Sequence, residues 1–281
     1  MTNRVAYLGP PGTFSEEAAI AHDPGAARAP CTTIRAVAAA VEAGQAEEGI
    51  VPIENSIEGS VPDTLDLLIH ESPLLIRREV VIPITQCLMA RPGAHLAGVR
   101  TIYSHPNALG QCRRFIERTF RDVQVVAALS TVAAVAELGR AGEGAAAIGP
   151  RRAAELHGVQ VLAEGIQDQA ENVTRFVVLA REDHPPTGHD KTSIAFSFAD
   201  DKPGELYAAL GDFAVRNINL AKVESRPSKE SLGRYFFLLD LEGHRLDPLV
   251  AEALGQLRAR TSMLKMFGSY PRYRMARPTI K

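Results

Sequence analysis

The chain has 281 residues, a formal net charge of -2, and lysine and arginine residues that are scattered rather than clustered. This length is enough for two domains with substantial cores. The balanced charge argues against a protein that binds nucleic acid or a membrane surface. No apolar run approaches the ~20 residues that cross a bilayer, and the N-terminus has no signal-peptide core. We therefore predict a cytoplasmic protein without a nucleic-acid or membrane partner.

Cysteine and histidine spacing gives no sign of a metal site. The three cysteines, Cys31, Cys87 and Cys112, lie far apart and fit neither a disulfide framework nor a zinc site. We expect them to be small, buried apolar residues. The histidines show no metal-binding spacing such as i, i+4 on one helix. The sequence therefore predicts no metal.

Residues 1–75 alternate between strand and helix patterns. A buried strand at 5–8 is followed by a Gly-Pro turn and by Thr13 and Glu16, which have the spacing of a capping box. This predicts a helix at 14–21 whose first N–H groups are suited to binding a carboxylate or phosphate. Further expected elements are a helix at 34–43, a strand at 48–53, a polar turn at 54–60 and a helix capped by Asp63 or Thr64. Such alternation is typical of a mostly parallel sheet.

Residues 79–159 are predicted to form a second α/β lobe. The β-prone stretch at 79–89 is interrupted by Pro83, which marks the crossover into this lobe. A strand at 99–103 leads into a helix with Ser104 as its N-cap, and Gln111 follows two turns later on about the same face. We expect residues 160–180 to rejoin the first lobe, which is formed by residues 1–78. Two lobes joined by two crossings predict a ligand-binding cleft.

The polar stretch at residues 168–176 leads directly into an apolar strand at 177–179. Thr174 and Arg175 therefore lie at the mouth of a strand, where α/β sheets commonly present ligand-binding residues. A guanidinium can bind a carboxylate and the adjacent hydroxyl can offer a proton, which suits a small anionic substrate. The pattern alone leaves open that Thr174 is only a strand former and Arg175 only a surface cation.

A second type of pattern begins after a linker. Residues 181–190 are polar and rich in Pro and Gly, which predicts the linker itself. Residues 191–273 then follow the order strand, helix, strand, strand, helix, strand, which is typical of a ferredoxin-like α+β domain. Residues 274–281 are predicted to form a short tail.

Four separated motifs, in the same order, resemble the prephenate dehydratase family: residues 8–15 (LGPPGTFS), 51–59 (VPIENSIEG), 104–112 (SHPNALGQC) and 174–176 (TRF). In the third motif Asn107 stands where glutamine is commoner. Residues 1–180 are similar to the catalytic domain of that family, and 192–272 resemble the ACT regulatory domain that follows it. The resemblance implies a two-lobed α/β fold like that of periplasmic binding proteins and assembly as a homodimer or homotetramer. The implied reaction converts prephenate to phenylpyruvate, carbon dioxide and water in phenylalanine biosynthesis.

The resemblance also implies roles for individual residues. Losing a carboxylate and a hydroxyl makes the prephenate ring aromatic, which drives the reaction without any cofactor. The enzyme must bind the dianion and protonate the departing hydroxyl. A threonine hydroxyl is a weak acid, so Thr174 is expected to position the leaving hydroxyl and relay a proton. The implied catalytic residues are Thr174, Arg175, Asn55, Ser104 and Gln111, and the implied substrate-binding residues are Thr13, Phe14, Ser15, Glu54 and Phe176.

In the C-terminal domain the resemblance implies L-phenylalanine as an effector, bound between the ACT domains of two subunits. Glu205 departs from the family's usual alanine, and the domain could instead serve only to dimerise the chain. Allosteric control requires that bound effector favour one arrangement of the catalytic lobes. The implied effector contacts are Gly204, Leu206, Asn219, Leu220, Glu224, Ser225, Arg226 and Pro227.

Two other functions stay open on sequence alone. An arogenate dehydratase would perform the same chemistry on a substrate with an additional ammonium group, for which Glu54 or Glu58 could provide a carboxylate. A non-catalytic amino-acid or carboxylate sensor could use the same two-lobed cleft, because fold alone does not fix function. The Thr174 hydroxyl argues for an enzyme, since a sensor needs no proton donor.

Overall fold

The computed structural model describes residues 3–200, 202–228 and 234–273. Its strands are β1 (Arg4–Leu8), β2 (Ala27–Cys31), β3 (Glu48–Asn55), β4 (Gly59–Ser60), β5 (Leu75–Pro83), β6 (Cys87–Ala90), β7 (Thr101–Ser104), β8 (Gln124–Ala127), β9 (Ala145–Gly149), β10 (Gln160–Glu164), β11 (Val173–Ala180), β12 (Asp190–Ser197), β13 (Leu220–Pro227), β14 (Tyr235–Glu242) and β15 (Met263–Pro271). Its α-helices are α1 (Phe14–His22), α2 (Ile34–Glu42), α3 (Pro62–Asp66), α4 (Pro106–Gln111), α5 (Arg113–Thr119), α6 (Thr131–Glu137), α7 (Arg151–His157), α8 (Glu205–Ala214) and α9 (Pro248–Arg260). A π-helical turn, Leu67–Glu71, continues α3, and a 3-10 turn, Leu96–Gly98, precedes β7.

The first sheet has the strand order β2-β1-β3-β11-β5, with β4 paired to β3. β1 and β2 are parallel. The middle of β1 and residues 177–179 of β11 are apolar and almost fully buried, as expected for strands that are covered on both faces. The carboxyl end of β3 lies beside the amino end of β11, because the Ser56 N–H donates to the Val173 carbonyl at 2.9 Å. This pairing places the 51–59 and 174–176 motifs side by side.

The second sheet has the order β10-β6-β9-β7-β8. β7 is parallel to β8 and β9, whereas β6 is antiparallel to β9 and β10. Leu88 and Ala90 of β6 pack with Cys112 and the helices α4 and α5. Cys87 and Met89, which alternate with these two residues along β6, pack with α6 and α7. Because successive side chains of a strand point to opposite faces, the sheet is covered on both sides.

The predicted lobe boundaries at residues 79 and 160 differ from the observed ones. β5 stays in the first sheet until Pro83, where the missing N–H ends strand pairing, so the crossover comprises residues 84–86. β10 pairs with β6 rather than rejoining the first sheet. The turn that leaves the second sheet follows β10 at Gly165, whose φ of +67° favours glycine. The prediction placed this turn before β10, where Gly158, with a φ of +63°, instead ends α7 and leads into β10 within the second sheet.

The C-terminal region confirms the predicted ferredoxin-like order, β12-α8-β13-β14-α9-β15. Its sheet has the strand order β13-β14-β12-β15, and β12 is antiparallel to both of its neighbours. One sheet face packs against α8 and α9 through a cluster that includes Phe196, Phe213 and Leu257. The linker boundaries stay predictions, and the proposed tail at 274–281 lies outside the described residues.

By internal contacts the described chain divides into two compact units. The first comprises the described parts of residues 1–37, 50–61 and 81–176. The second comprises 38–49, 62–80 and the described parts of 177–281. Residues 62–80, which precede the second sheet, thus belong with the ferredoxin-like region. None of the helices in 3–200, 202–228 and 234–273 has the length and apolar character that a membrane span requires.

Candidate active site

The carboxyl end of β3 and the amino end of β11 bring Asn55 and Thr174 into direct contact. Thr174 is the second residue of β11, and its side chain is buried. The Asn55 amide Nδ2 donates to Thr174 Oγ1 at 2.9 Å and to Asn172 Oδ1 at 2.8 Å. It also donates to the Val173 carbonyl at 3.2 Å. Two predicted residues that are far apart in sequence therefore form one hydrogen-bonded pair.

The orientation of the Asn55 amide determines what the Thr174 hydroxyl can do. Asn55 Oδ1 accepts from the backbone N–H groups of Ile57 at 2.9 Å and Glu58 at 3.0 Å. Backbone N–H groups can only donate, so the amide oxygen must face them and the NH₂ must face Thr174. Thr174 Oγ1 is thus an acceptor for Asn55, and no described residue provides an acceptor for its own proton. That proton is available to a bound molecule.

Gln111 joins the same network from the second sheet. Its Oε1 accepts from Asn172 Nδ2 at 3.2 Å and from Gln86 Nε2 at 3.4 Å. Its Nε2 donates to Glu58 Oε1 at 3.4 Å. Gln111 is the last residue of α4, so the helix presents its side chain to residues around the β3–β11 junction. The structure thus brings together Asn55, Gln111 and Thr174, three of the residues to which the family resemblance gives a catalytic role.

Sequence reasoning missed Asn172 and Gln86, which are both almost fully buried amides. For Asn172 a usable signal existed. It lies two positions before Thr174, and strand alternation puts residues i and i+2 on the same face. Gln86 lies in the crossover at 84–86 and had no comparable signal, because its partners are contributed by residues far away in sequence.

A cavity of about 250 Å³ opens beside Gln111. Its lining includes a guanidinium, two carboxylates and the side-chain amides of two glutamines. Arg114 is its cation, and its backbone N–H donates to both Asp168 oxygens at 3.2 Å. The lining residues are Ile57, Glu58, Gly110, Gln111, Arg114, Asp168 and Gln169.

The sequence suggested that the Arg175 guanidinium lies beside the Thr174 hydroxyl, but in the structure it does not. Neighbouring residues of a strand point to opposite faces, and Arg175 forms an ion pair with Glu54, Nη1 to Oε2, at 3.4 Å. Glu54 and Asn55 alternate in the same way on β3. Phe176 shares the face of Thr174, but only 2% of it is exposed, so it is a core residue here. Arg175 and Glu54 therefore stabilise each other on the face opposite the Thr174 hydroxyl.

Ser104 is the last residue of β7 and is fully buried. Its Oγ donates to the Ile148 carbonyl on β9 at 2.7 Å. The predicted N-cap was wrong by one residue, because His105 caps α4 and its Nδ1 accepts from the Asn107 N–H. Pro106 occupies the first helical position, which places the cap immediately before it. The Ser104 hydroxyl is thus a link between two strands.

The opening loop places Thr13 as the N-cap of α1, as predicted. Thr13 Oγ1 accepts from the Glu16 N–H at 3.3 Å, but Glu16 Oε2 accepts from the Gly12 N–H at 2.8 Å rather than from Thr13. Gly12 has a φ of +91°, and a Cβ there would lie 3.3 Å from the Ala153 Cα on α7. The helix start that carries Phe14 and the buried Ser15 thus already has a carboxylate, that of Glu16, beside it.

In the ferredoxin-like region the predicted effector residues lie on two consecutive elements. Gly204 is the N-cap of α8 with a φ of +89°, and Leu206 follows in the helix. Asn219 donates to Glu242 Oε1 at 3.1 Å. Leu220, Glu224, Ser225, Arg226 and Pro227 all belong to β13, a strand at the edge of its sheet. Arg226 donates to Asp66 Oδ1 from Nη2 at 2.8 Å and from Nε at 3.1 Å.

The three cysteines are free thiols. Cys87 and Cys112 are buried as predicted, and burial raises the pKa of Cys112 to about 12 and that of Cys87 to about 11. Cys31 is only half-buried, because it ends β2, a strand at the edge of its sheet. Among residues 3–200, 202–228 and 234–273, no three His, Cys, Asp or Glu side chains are grouped as metal ligands.

Comparison with known proteins agrees with this architecture. The prephenate dehydratase family matches residues 5–184, and the ACT domain family matches residues 192–259. The bifunctional chorismate mutase/prephenate dehydratase of Aquifex aeolicus is 45% identical over 270 residues, which cover 96% of this chain and 74% of that protein.

Two solved structures are similar over nearly the whole chain. The prephenate dehydratase from Arthrobacter aurescens in complex with L-Phe has a TM-score of 0.88 and 39% identity, covering 96% of this chain and 90% of that one. GqqA, described as a novel type of quorum quenching acylase, has a TM-score of 0.87 and 33% identity, covering 96% and 98%. With the family match across most of the chain and the 45% identical relative, this chain belongs to the prephenate dehydratase family and carries an ACT domain after the dehydratase region.

Proposed function

We propose that the chain is a carbon–oxygen lyase that converts prephenate to phenylpyruvate, carbon dioxide and water in phenylalanine biosynthesis. The observation that carries the proposal is the Asn55–Thr174 hydrogen bond, whose direction leaves the Thr174 proton available. Accepting a hydrogen bond from Asn55 also stabilises negative charge on Oγ1 as that proton moves away. The pair therefore suits proton delivery to a departing hydroxyl.

The reaction balances without a cofactor. The bond from the ring to its carboxylate breaks, and its electron pair enters the ring as the carbon–oxygen bond of the ring hydroxyl breaks. The hydroxyl takes one proton and leaves as water, while the carboxylate leaves as carbon dioxide. Thr174 would pass its proton to the hydroxyl and regain one from solvent, because a threonine hydroxyl is too weak an acid to remain ionised at neutral pH.

Substrate binding is assigned to the cavity beside Gln111. Prephenate carries two carboxylates, and Arg114 places a guanidinium in the cavity wall, where it can bind one of them. The Gln111 amide can donate to a substrate oxygen. The amides of Thr13, Phe14 and Ser15 stay predicted contacts, with the Glu16 carboxylate close by as an argument against a second anion there.

The contacts of the two glutamates favour prephenate over arogenate. An arogenate-specific cleft needs an acidic partner for the substrate ammonium, and Glu54 and Glu58 were the candidates. Glu54 pairs with Arg175 at 3.4 Å, and Glu58 accepts from Gln111 at 3.4 Å. An ammonium would have to compete with these partners.

We further propose L-phenylalanine as the effector and a homodimer or homotetramer as the assembly. Support comes from the ACT match and from the similar A. aurescens enzyme in complex with L-Phe. β13 lies at the edge of its sheet, where a strand of a second copy could pair with it, and Val223 on it is 50% exposed. A cytoplasmic location stays a proposal that rests on the family and on the sequence.

The test is the appearance of phenylpyruvate, followed by its absorbance in alkali, when purified protein is given prephenate. Thr174→Ala should lower kcat by about 10²-fold or more, as expected for loss of a proton-transferring group. Wild-type turnover in that variant would contradict the assigned role. Phenylalanine should suppress the wild-type rate, and unaltered turnover together with no heat of binding would leave the ACT domain as a dimerisation module.

Parallel assays separate the competing functions. Turnover of arogenate but not of prephenate would reassign the substrate, and release of a carboxylic acid from an N-acyl amide would indicate an acylase, as named for GqqA. If none of these substrates is consumed while prephenate binds in a calorimetric titration, the chain is a binding protein rather than an enzyme.

A further inference from the structure

We infer that Asn172 is a positioning residue that fixes the direction of the Gln111 amide, an inference that rests on the proposed function. Asn172 is 1% exposed. Its Oδ1 accepts from Asn55 at 2.8 Å and from Ser56 Oγ at 3.4 Å, and its Nδ2 donates to Gln111 Oε1 at 3.2 Å. Asn172 thus connects the β3–β11 junction of the first sheet with α4, which packs on the second.

Every hydrogen bond of this network has a direction that follows from two backbone groups. The N–H groups of Ile57 and Glu58 hold the Asn55 oxygen, so its NH₂ must face Asn172. Asn172 must then present its oxygen to Asn55 and its NH₂ to Gln111. Gln111 in turn presents its oxygen to Asn172 and its NH₂ to the Glu58 carboxylate, which only accepts. The network closes on the loop at residues 55–58, where it began.

Gln86 also contacts Gln111 but does not fix its direction, because Gln86 Oε1 is buried without a hydrogen-bond partner among the described residues. Its Nε2 donates to Gln111 Oε1 at 3.4 Å, so this oxygen holds two donors. Reversing the Gln111 amide would set its NH₂ against the Asn172 NH₂, whose direction Asn55 fixes, and would leave a buried donor unsatisfied. Gln111 Nε2 carries two hydrogens, and Glu58 takes one. The second can point into the cavity that Gln111 lines, where it is a donor for a substrate oxygen.

Asn172→Asp is the test, because it keeps the shape and replaces the NH₂ by an acceptor. At neutral pH the introduced carboxylate repels Gln111 Oε1 and favours the reversed amide, which turns a carbonyl oxygen towards the substrate. We expect kcat to fall roughly 10- to 100-fold, the range that corresponds to loss of a buried hydrogen bond. As the pH falls, protonation of that carboxyl restores an O–H donor to Gln111. The ratio of variant to wild-type kcat should therefore rise.

Other charged groups lie around the network, and the ratio of variant to wild-type kcat separates their effect from that of the new carboxyl. Those that face it are Glu58 in the loop after β3, Asp168 before β11, Arg114 on α5, and the Glu54–Arg175 pair on the opposite face. All are present in both proteins, so the ratio of variant to wild type at each pH reports what the substitution itself adds. Repulsion between the new carboxylate and a dianionic substrate would raise KM, whereas amide reversal lowers kcat.

Two further variants serve as controls. Asn172→Leu removes the donor without adding a titratable group and should lose turnover at every pH, with no recovery in acid. Gln124→Glu makes the same amide-to-carboxylate change on β8, where the side chain is exposed, and should keep kcat within about twofold of wild type. Circular dichroism establishes that each variant is folded before its rate is measured.

The outcomes distinguish the two proposals. Wild-type kcat in Asn172→Asp at neutral pH, or a lowered ratio that stays flat in acid, would overturn the positioning role. If wild-type protein itself leaves prephenate unchanged, the proposed function fails, and the network is then tested by NMR. The Gln111 side-chain ¹H–¹⁵N signals, identified by their loss in Gln111→Glu, should shift in Asn172→Asp; unchanged signals would refute the inference independently of activity.

Discussion

Ser104 and Thr174 are both hydroxyl residues at strand ends, but their hydrogen bonds give them different capacities. Ser104 Oγ donates its proton to the Ile148 carbonyl at 2.7 Å. Thr174 Oγ1 accepts from Asn55 at 2.9 Å and retains its proton. Only the second arrangement leaves a donor for substrate. The direction of one hydrogen bond thus distinguishes a hydroxyl that links two strands from one whose proton is available to a substrate.

Replacing Ser104 by alanine should therefore affect stability more than chemistry. The Ile148 carbonyl would lose a buried donor, and the free energy of unfolding should fall by about 1–2 kcal/mol. Urea unfolding and kcat for prephenate are measured on the same preparation, with Thr174→Ala for comparison. Thr174→Ala should show the larger loss of kcat and the smaller loss of stability. Unchanged unfolding with a collapse of kcat in Ser104→Ala would restore the catalytic role that the family resemblance implies.

A cluster of charged side chains links α1 and α7 through ion pairs of Arg152. Glu16 accepts from Arg152 Nε at 3.4 Å, and Arg152 also pairs with Glu155 at 3.1 Å. Glu17 is close enough to these groups to interact with their charges. Burial, followed by repulsion from Glu155, raises the pKa of the Glu17 carboxyl, and Arg152 only partly offsets this. Ionised Glu17 is therefore a source of instability at neutral pH.

Glu17→Gln should stabilise the protein at neutral pH. A carboxyl whose pKa is higher in the folded than in the unfolded state binds more protons when folded, so stability falls as pH rises above the unfolded value of 4.5. The glutamine variant lacks this loss. Its unfolding free energy should exceed that of the wild type at neutral pH, and the difference should vanish as the pH is lowered below 4.5.

The matched control for this prediction is Glu117→Gln on α5. Glu117 pairs with Arg113 at 2.7 Å on an exposed surface, where ion pairs contribute little to stability. Its pH profile should follow that of the wild type. A Glu17→Gln profile parallel to the wild type from acid to neutral pH would show that this carboxyl has the same pKa in both states.

Particular elements show how far the sequence predicts the structure. The order of strands and helices in the C-terminal domain follows from alternation and turn signals, which are local, although β12 pairs with β14 and β15 far along the chain. The membership of β10 in the second sheet depends on pairing with β6, about 70 residues earlier, which local pattern does not encode. Asn55 and Thr174 were found through motifs, whereas Gln86 was missed because its partners are assembled by the fold.

The ACT region is bound to a segment of the dehydratase region, residues 62–80. Lys191 pairs with Glu79 at 2.8 Å, and both side chains are largely buried. Lys265 donates to the carbonyls of Ile69 at 3.2 Å and Ser72 at 2.9 Å, and burial lowers its pKa. These contacts explain why residues 62–80 belong to the same compact unit as the ACT region.

Arg226 makes a further contact of this kind, from the strand that carries the proposed effector motif. It donates twice to Asp66 and, through Nη2, to the Pro62 carbonyl at 3.3 Å. Both side chains of the ion pair are about 15% exposed, so solvent screens it less than a surface pair. In the chain, Pro62 lies four residues after Glu58. If L-phenylalanine binds at β13 as proposed, the Arg226–Asp66 ion pair would respond to a change in that strand.

Asp66→Asn should weaken this coupling without disabling the enzyme. The amide retains the shape but loses the charge that holds Arg226, so phenylalanine should inhibit with a half-maximal concentration raised about fivefold or more, at the lower end of measured allosteric couplings. The rate without phenylalanine should stay within about twofold, since Asp66 lies outside the Asn55–Thr174 network. The control is Asp63→Asn, an exposed change on the same helix. Phenylalanine should inhibit this variant as it inhibits the wild type. A wild-type inhibition curve for Asp66→Asn would show that the effector signal does not pass through Arg226. The signal would then have to pass through the remaining contacts, which join Lys191 to Glu79 and Lys265 to the π-helical turn.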